Sequence, residues 1–300
     1  MIRALRSQEY QYLSLLKNII DFGVKEQGRN GITYTQIGGM MRFSLNDNKI
    51  PLMTTKKLAW RVCLKELLWF IRGDTNNDLL QKQNVNIWNA NATRDFLDSR
   101  GLYHLRENDL GPVYGHQWRF WNAPYSREYG CFEDYRGKGI DQLQNIIDDI
   151  NKSKITGETS RRMIMTAWNP EQIDEMALPP CHVLSQFHIT EGNKLSCTLY
   201  QRSADMGLGV PFNIASYAFL THIIAKHCDL EAKEFIHFIG NAHIYDDHMD
   251  VLEEQIENEP YEPPNLIISE KKEKIEDYKF DDFIIENYNY HKPIKMKMRA

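Results

Sequence analysis

Three hundred residues, 42% hydrophobic and 26% charged, are the composition of an ordinary globular chain and exclude a disordered one. A net charge of −5 argues against general nucleic-acid binding, which needs a basic surface to meet phosphates, but leaves room for a small anion held by a local cluster of arginines. Five cysteines (Cys63, Cys131, Cys181, Cys197, Cys228) stand apart without CxxC pairing, the pattern of free thiols in a reducing compartment.

No signal-peptide stretch opens the chain, and no apolar run approaches the roughly 18–20 residues of a membrane span. A cytoplasmic protein with no membrane contact is expected, with visits to nucleus or organelle left open. Without repeats or Gly/Ser linkers, 1–300 reads as one domain, with a loop-rich insertion or lid at about 89–139. In chain order, residues 7–27 predict a helix, with Ser7 as N-cap and apolar positions at Leu13, Leu16, Ile19, Ile20 and Val24. Residues 31–45 read as a strand or hairpin. Residues 57–72 form a helix apolar nearly all round, so buried. Residues 141–152 suggest a surface helix. Strands follow at 161–168, 183–189 and 194–203, the last two joined by a turn at Glu191-Gly192-Asn193. Residues 211–228 are a second all-round apolar helix, with Pro211 suited to its first turn. The run 234–245 is extended, 246–258 is a polar helix, and a charged meander (264–288) leads into a basic tail. The fold class expected is α+β, with a mixed sheet and buried helices.

Cys181 lies in LPPCH, where two prolines fix the backbone and His182 follows. Such a thiol suits a nucleophile, because a thiolate needs cationic or hydrogen-bonding neighbours to form at neutral pH; the alternative is a small buried hydrophobe. Arg161-Arg162 and Arg202-Ser203 suit a phosphate dianion or, equally, surface ion pairs. Neighbours on one strand face opposite ways, so Arg161 and Arg162 cannot share a pocket unless the strand ends or bends. Glu66, flanked by Val62, Trp69 and Phe70, is a buried carboxyl with an expected raised pKa: an acid/base group or half of a structural ion pair. Asn213, at the start of the second buried helix, offers a donor and an acceptor that match a uracil edge, or a helix-start hydrogen bond. His243 and Tyr245 share a face and suit a sugar hydroxyl. HIYDDH could ligate a metal, but no paired motif supports this, and no Gly-rich phosphate loop points to a dinucleotide or ATP.

Taken together, these segments resemble the thymidylate synthase family. The runs RRMIMTAWNPEQIDEMALPPCH, LSCTLYQRSADMGLGVPFNIASYAFLTHIIA, KKLAWRVCLKELLWFIRGDTN, DLGPVYGHQWR, HIYDDH and HKPIKMKM carry the likeness, from about residue 8 to 300. The resemblance implies reductive methylation of dUMP to dTMP with 5,10-methylenetetrahydrofolate as cosubstrate and no metal. It gives Cys181 as nucleophile and Glu66, Tyr114, His182 and Asn213 in the proton and uracil chemistry. It implies Arg29, Gln201, Arg202, Ser203, His243 and Tyr245 around the nucleotide, with Arg161 and Arg162 joining from the partner of a homodimer whose interface the sheet backs. Trp88, Asp205, Gly209 and Ala300 would serve the folate. The chain departs from the family pattern in GRNGITYTQIGG around Arg29, at Asn241, at Asp246-Asp247 and at Arg299-Ala300. No dihydrofolate reductase segment is visible, so a monofunctional chain is expected. The rivals are a deoxycytidylate hydroxymethylase, which Asn213 disfavours because cytosine calls for an acid there, an inactive nucleotide- or RNA-binding homologue, and a metallohydrolase.

Overall fold

A computed structural model describes residues 7–299. The first predicted helix divides in two. Helix α1 spans Tyr10–Phe22 and buries Tyr12, Leu13, Leu15, Leu16 and Ile19. Gly23 ends it in an extended conformation, where a Cβ would stand 2.4 Å from the Ile19 carbonyl oxygen and no other residue fits. Val24 therefore leaves the helical stripe and starts strand β1 (Val24–Gly28), which turns back into β2 (Gly31–Ser44). Ser7 lies outside the helix, its hydroxyl accepting the Glu9 N–H at 3.4 Å, and Glu9 occupies the N-cap position.

Helix α2 (Trp60–Ile71) is followed by short helices α3 (Asp78–Gln81), α4 (Arg94–Ser99) and α5 (Tyr114–Phe120). The loop-rich stretch is not a loose flap. Leu97, Leu102, Leu105, Leu110, Val113 and Trp118 are buried, and the buried Asp109 carboxylate ties the region together by accepting Gly111 N–H, Tyr125 hydroxyl and Cys131 N–H. Helix α6 (Gln142–Thr156) begins at Asp141, whose side chain accepts Gln144 N–H, and ends at Gly157 in the left-handed region, the expected punctuation for a surface helix. Strand β3 is only Ile164–Thr166, β4 is His182–Thr190 and β5 is Lys194–Asp205. Helix α7 spans Gly209–His227, β6 Glu231–Tyr245 and α8 Met249–Ile256, and strands β7 (Asn265–Ile268) and β8 (Phe283–Glu286) form a separate two-stranded sheet.

The main sheet has the order β1-β2-β6-β5-β4-β3, with β5 and β6 parallel and every other pair antiparallel, so it is mixed and the architecture is α+β. A parallel pair needs a crossover, and α7 supplies it. That role explains why α7 is apolar all round: one side packs on β5 and β6, the other on α2, where Trp60 meets Phe219 with ring centroids 6.3 Å apart. The period-2 alternation then sorts the chemistry. Gln201, Ser203 and Asp205 of β5 lie beside Asn241 and His243 of β6 in register, on the face carrying buried Leu199 and His237. On the opposite face Met40, Phe238 and Tyr200 stand in one cross-strand row and remain exposed.

Candidate functional site

Cys181 sits at the hinge between Pro179-Pro180 and β4, and three contacts fix it. Its N–H donates to the Tyr114 hydroxyl at 2.8 Å, its carbonyl accepts Arg202 N–H at 2.9 Å, and the Arg202 guanidinium donates to the carbonyls of Pro180 (2.8 Å) and Pro179 (3.0 Å). Arg202 also lies over the Trp168 ring, 5.4 Å from its centroid. Two successive proline carbonyls thus accept from one guanidinium and fix its orientation beside Cys181. The positive charges of Arg202 and Arg29 pull the Cys181 pKa down, but burial pushes it up by more, and the residue rests as a thiol. His182, the neighbour expected to assist, is not a cation. Burial depresses it to about 4, against a hydrogen bond with the Asn213 side chain, and its ring packs on Tyr114 (5.3 Å) and Tyr217 (5.2 Å).

Glu66 comes from α2 and acts electrostatically on Tyr114. Burial raises its pKa to about 7, and the Trp88 indole N–H, donating to its Oε1 at 2.7 Å, holds it below where burial alone would leave it. Trp88 packs on Tyr114 and Trp69. Tyr114 itself is pushed well above the ordinary phenol range, by burial first and by nearby Cys181, so its hydroxyl keeps its proton. A carboxyl poised near neutrality, a neutral phenol and a thiol thus share one buried corner, the condition for passing protons between groups.

An amide network lines the neighbouring wall. Gln201 Nε2 donates to Asn213 Oδ1 and to the Ser203 carbonyl, each at 2.9 Å, and Gln201 Oε1 accepts from His237 Nε2 at 2.8 Å. Burial holds His237 neutral, down to about 3. A histidine in an apolar strand signals nothing until its strand neighbour is known, so His237 is not legible as a site residue from the sequence. The network orients Asn213: with Oδ1 engaged by an N–H, the rest of the amide faces any ligand in a fixed sense. Ser203 is alongside Asn241.

Farther along β6, the His243 Nδ1–H donates to Asn241 Oδ1 at 3.0 Å, and its ring meets Tyr245 edge-on at 5.5 Å. Burial lowers the His243 pKa against the pull of Asp205. Arg29, exposed at the β1–β2 turn, donates from Nε to Asn30 Oδ1 at 2.9 Å, and both residues act on Tyr245. Asp205 Oδ1 accepts the N–H of Gly207 (2.9 Å) and Leu208 (3.4 Å) just before α7. A Cβ on Gly209 would lie 3.5 Å from the Asp205 Cβ and 3.6 Å from Asn213 Oδ1, ordinary contact, so the fold itself does not demand glycine there. Glycine instead leaves a methyl-sized gap between Asp205 and Asn213.

Lys56 also reaches this wall and was not foreseen: its buried ammonium donates to the Gly207 carbonyl, and burial lowers its pKa to about 8 against the pull of Asp205 and Glu9. Glu9 anchors the preceding residues by accepting N–H and hydroxyl bonds from both Thr54 and Thr55, between 2.6 and 3.1 Å. Nothing in the local pattern distinguishes Lys56 from a surface lysine.

Arg161 and Arg162 are not brought to this site within one chain. They are exposed just ahead of edge strand β3, at the opposite border of the sheet from the Arg29 hairpin, where the Arg161 carbonyl accepts Gln186 Nε2 at 2.9 Å. Ala300 lies outside the described residues. The acidic and imidazole groups of 243–248 go to separate partners, His243 to Asn241 and Asp247 to Arg299, and no group of three or more metal-binding side chains is gathered among the described residues.

Comparison with known proteins agrees with this geometry. Residues 10–300 match the family model described as thymidylate synthase. The bifunctional dihydrofolate reductase-thymidylate synthase of Plasmodium berghei is 50% identical over 293 residues, covering 97% of this chain and 48% of that protein. The thymidylate synthases of Saccharomyces cerevisiae and Herpesvirus ateles are each 50% identical, over 301 and 291 residues, with 97% of both chains covered. The chain spans about half the length of the bifunctional relatives it matches. A family match over nearly all of its residues, together with a thiol, carboxyl and amide wall arranged around one corner, makes this chain a member of the thymidylate synthase family.

Proposed function

We propose that the chain converts dUMP to dTMP by covalent catalysis at Cys181, in the cytoplasm, as a homodimer and with 5,10-methylenetetrahydrofolate as cosubstrate. The observation that carries this reading is the corner in which the Cys181 N–H meets the Tyr114 hydroxyl at 2.8 Å, with Glu66, near neutrality, acting on Tyr114 and Asn213 of the Gln201–Asn213 amide pair bonded to His182. Cys181 gives its proton to water, its sulfur bonds to C6 of the pyrimidine, and the C5–C6 electron pair moves toward O4, where the Asn213 amide stabilises the developing charge. The ring thereby becomes nucleophilic at C5. Glu66 exchanges protons near the pyrimidine, and Tyr114 holds a hydroxyl where the C5 proton must leave. The sulfur departs at the end with the electron pair that it donated. The folate, when bound, supplies the one-carbon unit and the hydride; Asp205 and the Gly209 gap would hold its ring and the Trp88 wall would flank it. Arg202, Ser203 and Arg29 hold the nucleotide phosphate, and His243 with Tyr245 the sugar hydroxyl.

The exposed Met40–Phe238–Tyr200 row is an apolar strip on a sheet face, which supports burial against a second copy. In that dimer Arg161 and Arg162 complete the partner's phosphate site, which accounts for two consecutive arginines exposed far from their own chain's thiol. Five unpaired cysteines favour a reducing compartment, and no helix among the described residues is long and apolar enough to cross a membrane.

The test is intact-mass measurement after incubation with 5-fluoro-dUMP and 5,10-methylenetetrahydrofolate. A covalent ternary adduct that disappears in Cys181→Ser is expected. No adduct, or one indifferent to that substitution, overturns the reading.

A further inference from the structure

Four carboxamides that the chemistry at Cys181 does not use close a ring behind Trp88. Asn77, the fully buried residue at the start of α3, donates from Nδ2 to Asn89 Oδ1 at 3.0 Å and to Asn108 Oδ1 at 3.2 Å. One helical turn on, Gln81 Nε2 donates to the same two oxygens at 3.0 and 3.2 Å. Two NH2 groups thus give four N–H bonds to two oxygens with two lone pairs each, so donors and acceptors match in number. Asn89 Nδ2 donates to Asn86 Oδ1 at 3.2 Å, which turns the Asn89 oxygen toward the ring. The backbone follows the same links. Asn77 N–H donates to the Asn108 carbonyl at 2.8 Å and Asn108 N–H to the Ala92 carbonyl at 2.9 Å, with Asn108 in the left-handed region that asparagine tolerates. Between these clamps lies the short turn Asn89–Asn91, and Trp88 is the residue that leads into it.

We infer that Asn77 and Gln81 are positioning residues: through the amide ring they hold the Trp88–Asn89 turn against α3 and so keep the Trp88 indole N–H on the Glu66 carboxyl. Its bearing on catalysis rests on the reading of Glu66 as a proton-transfer group; the geometry stands without it. Helix α2 closes the circuit at the other end. Trp69, three residues after Glu66, donates its indole N–H to the Asn76 carbonyl at 3.1 Å, and its ring packs on Trp88 with centroids 6.5 Å apart. The start of α3 therefore ties together the two partners of the Trp88–Glu66 bond, α2 through Asn76 and the Trp88 turn through Asn89. Four neutral amides do this without an added negative charge, which would disfavour the Glu66 anion. The titratable groups that interact with Glu66 are Cys63 on its own helix and Tyr114 on α5. Burial keeps both protonated, so the indole N–H is the group that opposes burial at this carboxyl.

Nitrogen-15 spectra of the indole groups, recorded on the full protein without substrate, test this. Of the six tryptophan signals, that of Trp88 is identified by its loss in Trp88→Phe. In the parent it should step with a midpoint near pH 7, and Glu66→Gln should abolish the step. Gln81→Met and Asn77→Ala each delete two of the four ring bonds and add no charge. Each should move the Trp88 proton signal upfield and raise the midpoint by about half a pH unit or more, because a displaced indole no longer favours the anion. Gln81 is only partly buried, so its variant decides the matter if Asn77→Ala does not fold. An unmoved signal and midpoint in folded Gln81→Met, even with a lowered Tm, overturn the positioning role, as does a parent with no step near 7. The limb of the kcat–pH profile that reports Glu66 should move with the step. A step that moves while that limb stays keeps the amide ring and unseats Glu66 from the reaction; an unmoved step overturns the ring whatever the adduct test shows.

Discussion

Replacing Glu66 by Gln should make this protein more stable at alkaline pH while disabling it. The carboxyl titrates near 7 in the fold against an ordinary 4.5, because burial disfavours the anion more than the Trp88 N–H favours it. The unfolded chain therefore releases the proton first. Below about pH 4.5 both states are protonated and the group costs nothing. Between about 4.5 and 7 the folded state binds the extra proton, so stability falls as pH rises, and above 7 the full cost is present. At about 1.4 kcal/mol per tenfold, the gap amounts to about 3 kcal/mol. Gln keeps the shape and the acceptor for Trp88 but cannot ionise. Denaturant unfolding of both proteins at fixed concentration, from pH 5 to 8, should give a Gln variant ahead by about 1 kcal/mol at pH 5 and by about 3 kcal/mol at pH 8. In thermal unfolding this is roughly 6 °C at about 2 °C per kcal/mol. The variant should also lose at least about a hundredfold in kcat, since an amide cannot move the proton. A stability difference constant across that pH range would refute the account of Glu66.

Tyr114→Phe removes the hydroxyl that accepts the Cys181 N–H and leaves that donor without a partner; about 1–3 kcal/mol, or roughly ten- to a hundredfold in kcat/KM, should be lost, with nucleotide affinity by calorimetry changing much less. Arg202→Gln withdraws the positive charge that lowers the Cys181 pKa, so the pH midpoint for alkylation of that thiol by iodoacetamide should move upward, and an unmoved midpoint would remove Arg202 from thiol activation. Mixing inactive Cys181→Ser subunits with inactive Arg161→Glu subunits should restore part of the activity; heterodimers that form yet stay silent would count against arginines crossing between subunits.

Much of the fold was legible in the sequence. The all-round apolar character of 57–72 and 211–228 follows from their burial against each other and the sheet, and the alternation in β4 and β5 with the glycine-centred turn between them fixes that hairpin. The helix predicted over 7–27 ran too long because Val24 continues the apolar period; the end is set by the clash that any side chain at Gly23 would make. Glu66 was legible as a costly acid on an apolar helix. Its partner was not, because Trp88 lies 22 positions away and only packing brings the indole N–H to it.

What the sequence determines by itself, then, is local: which segments bury which faces, and which residue types carry chemistry. Electrostatics and pairings belong to the tertiary structure. Whether Cys181 is thiol or thiolate depends on burial outweighing two arginines, and whether His182 is charged depends on the rings around it. Asn213 acquires its orientation from Gln201 and His237, on separate strands, and Arg299 meets Asp247 only because the last segment crosses back over β6. These are long-range contacts whose energies depend on distance and solvent exclusion, quantities that no stretch of sequence contains until the chain has folded.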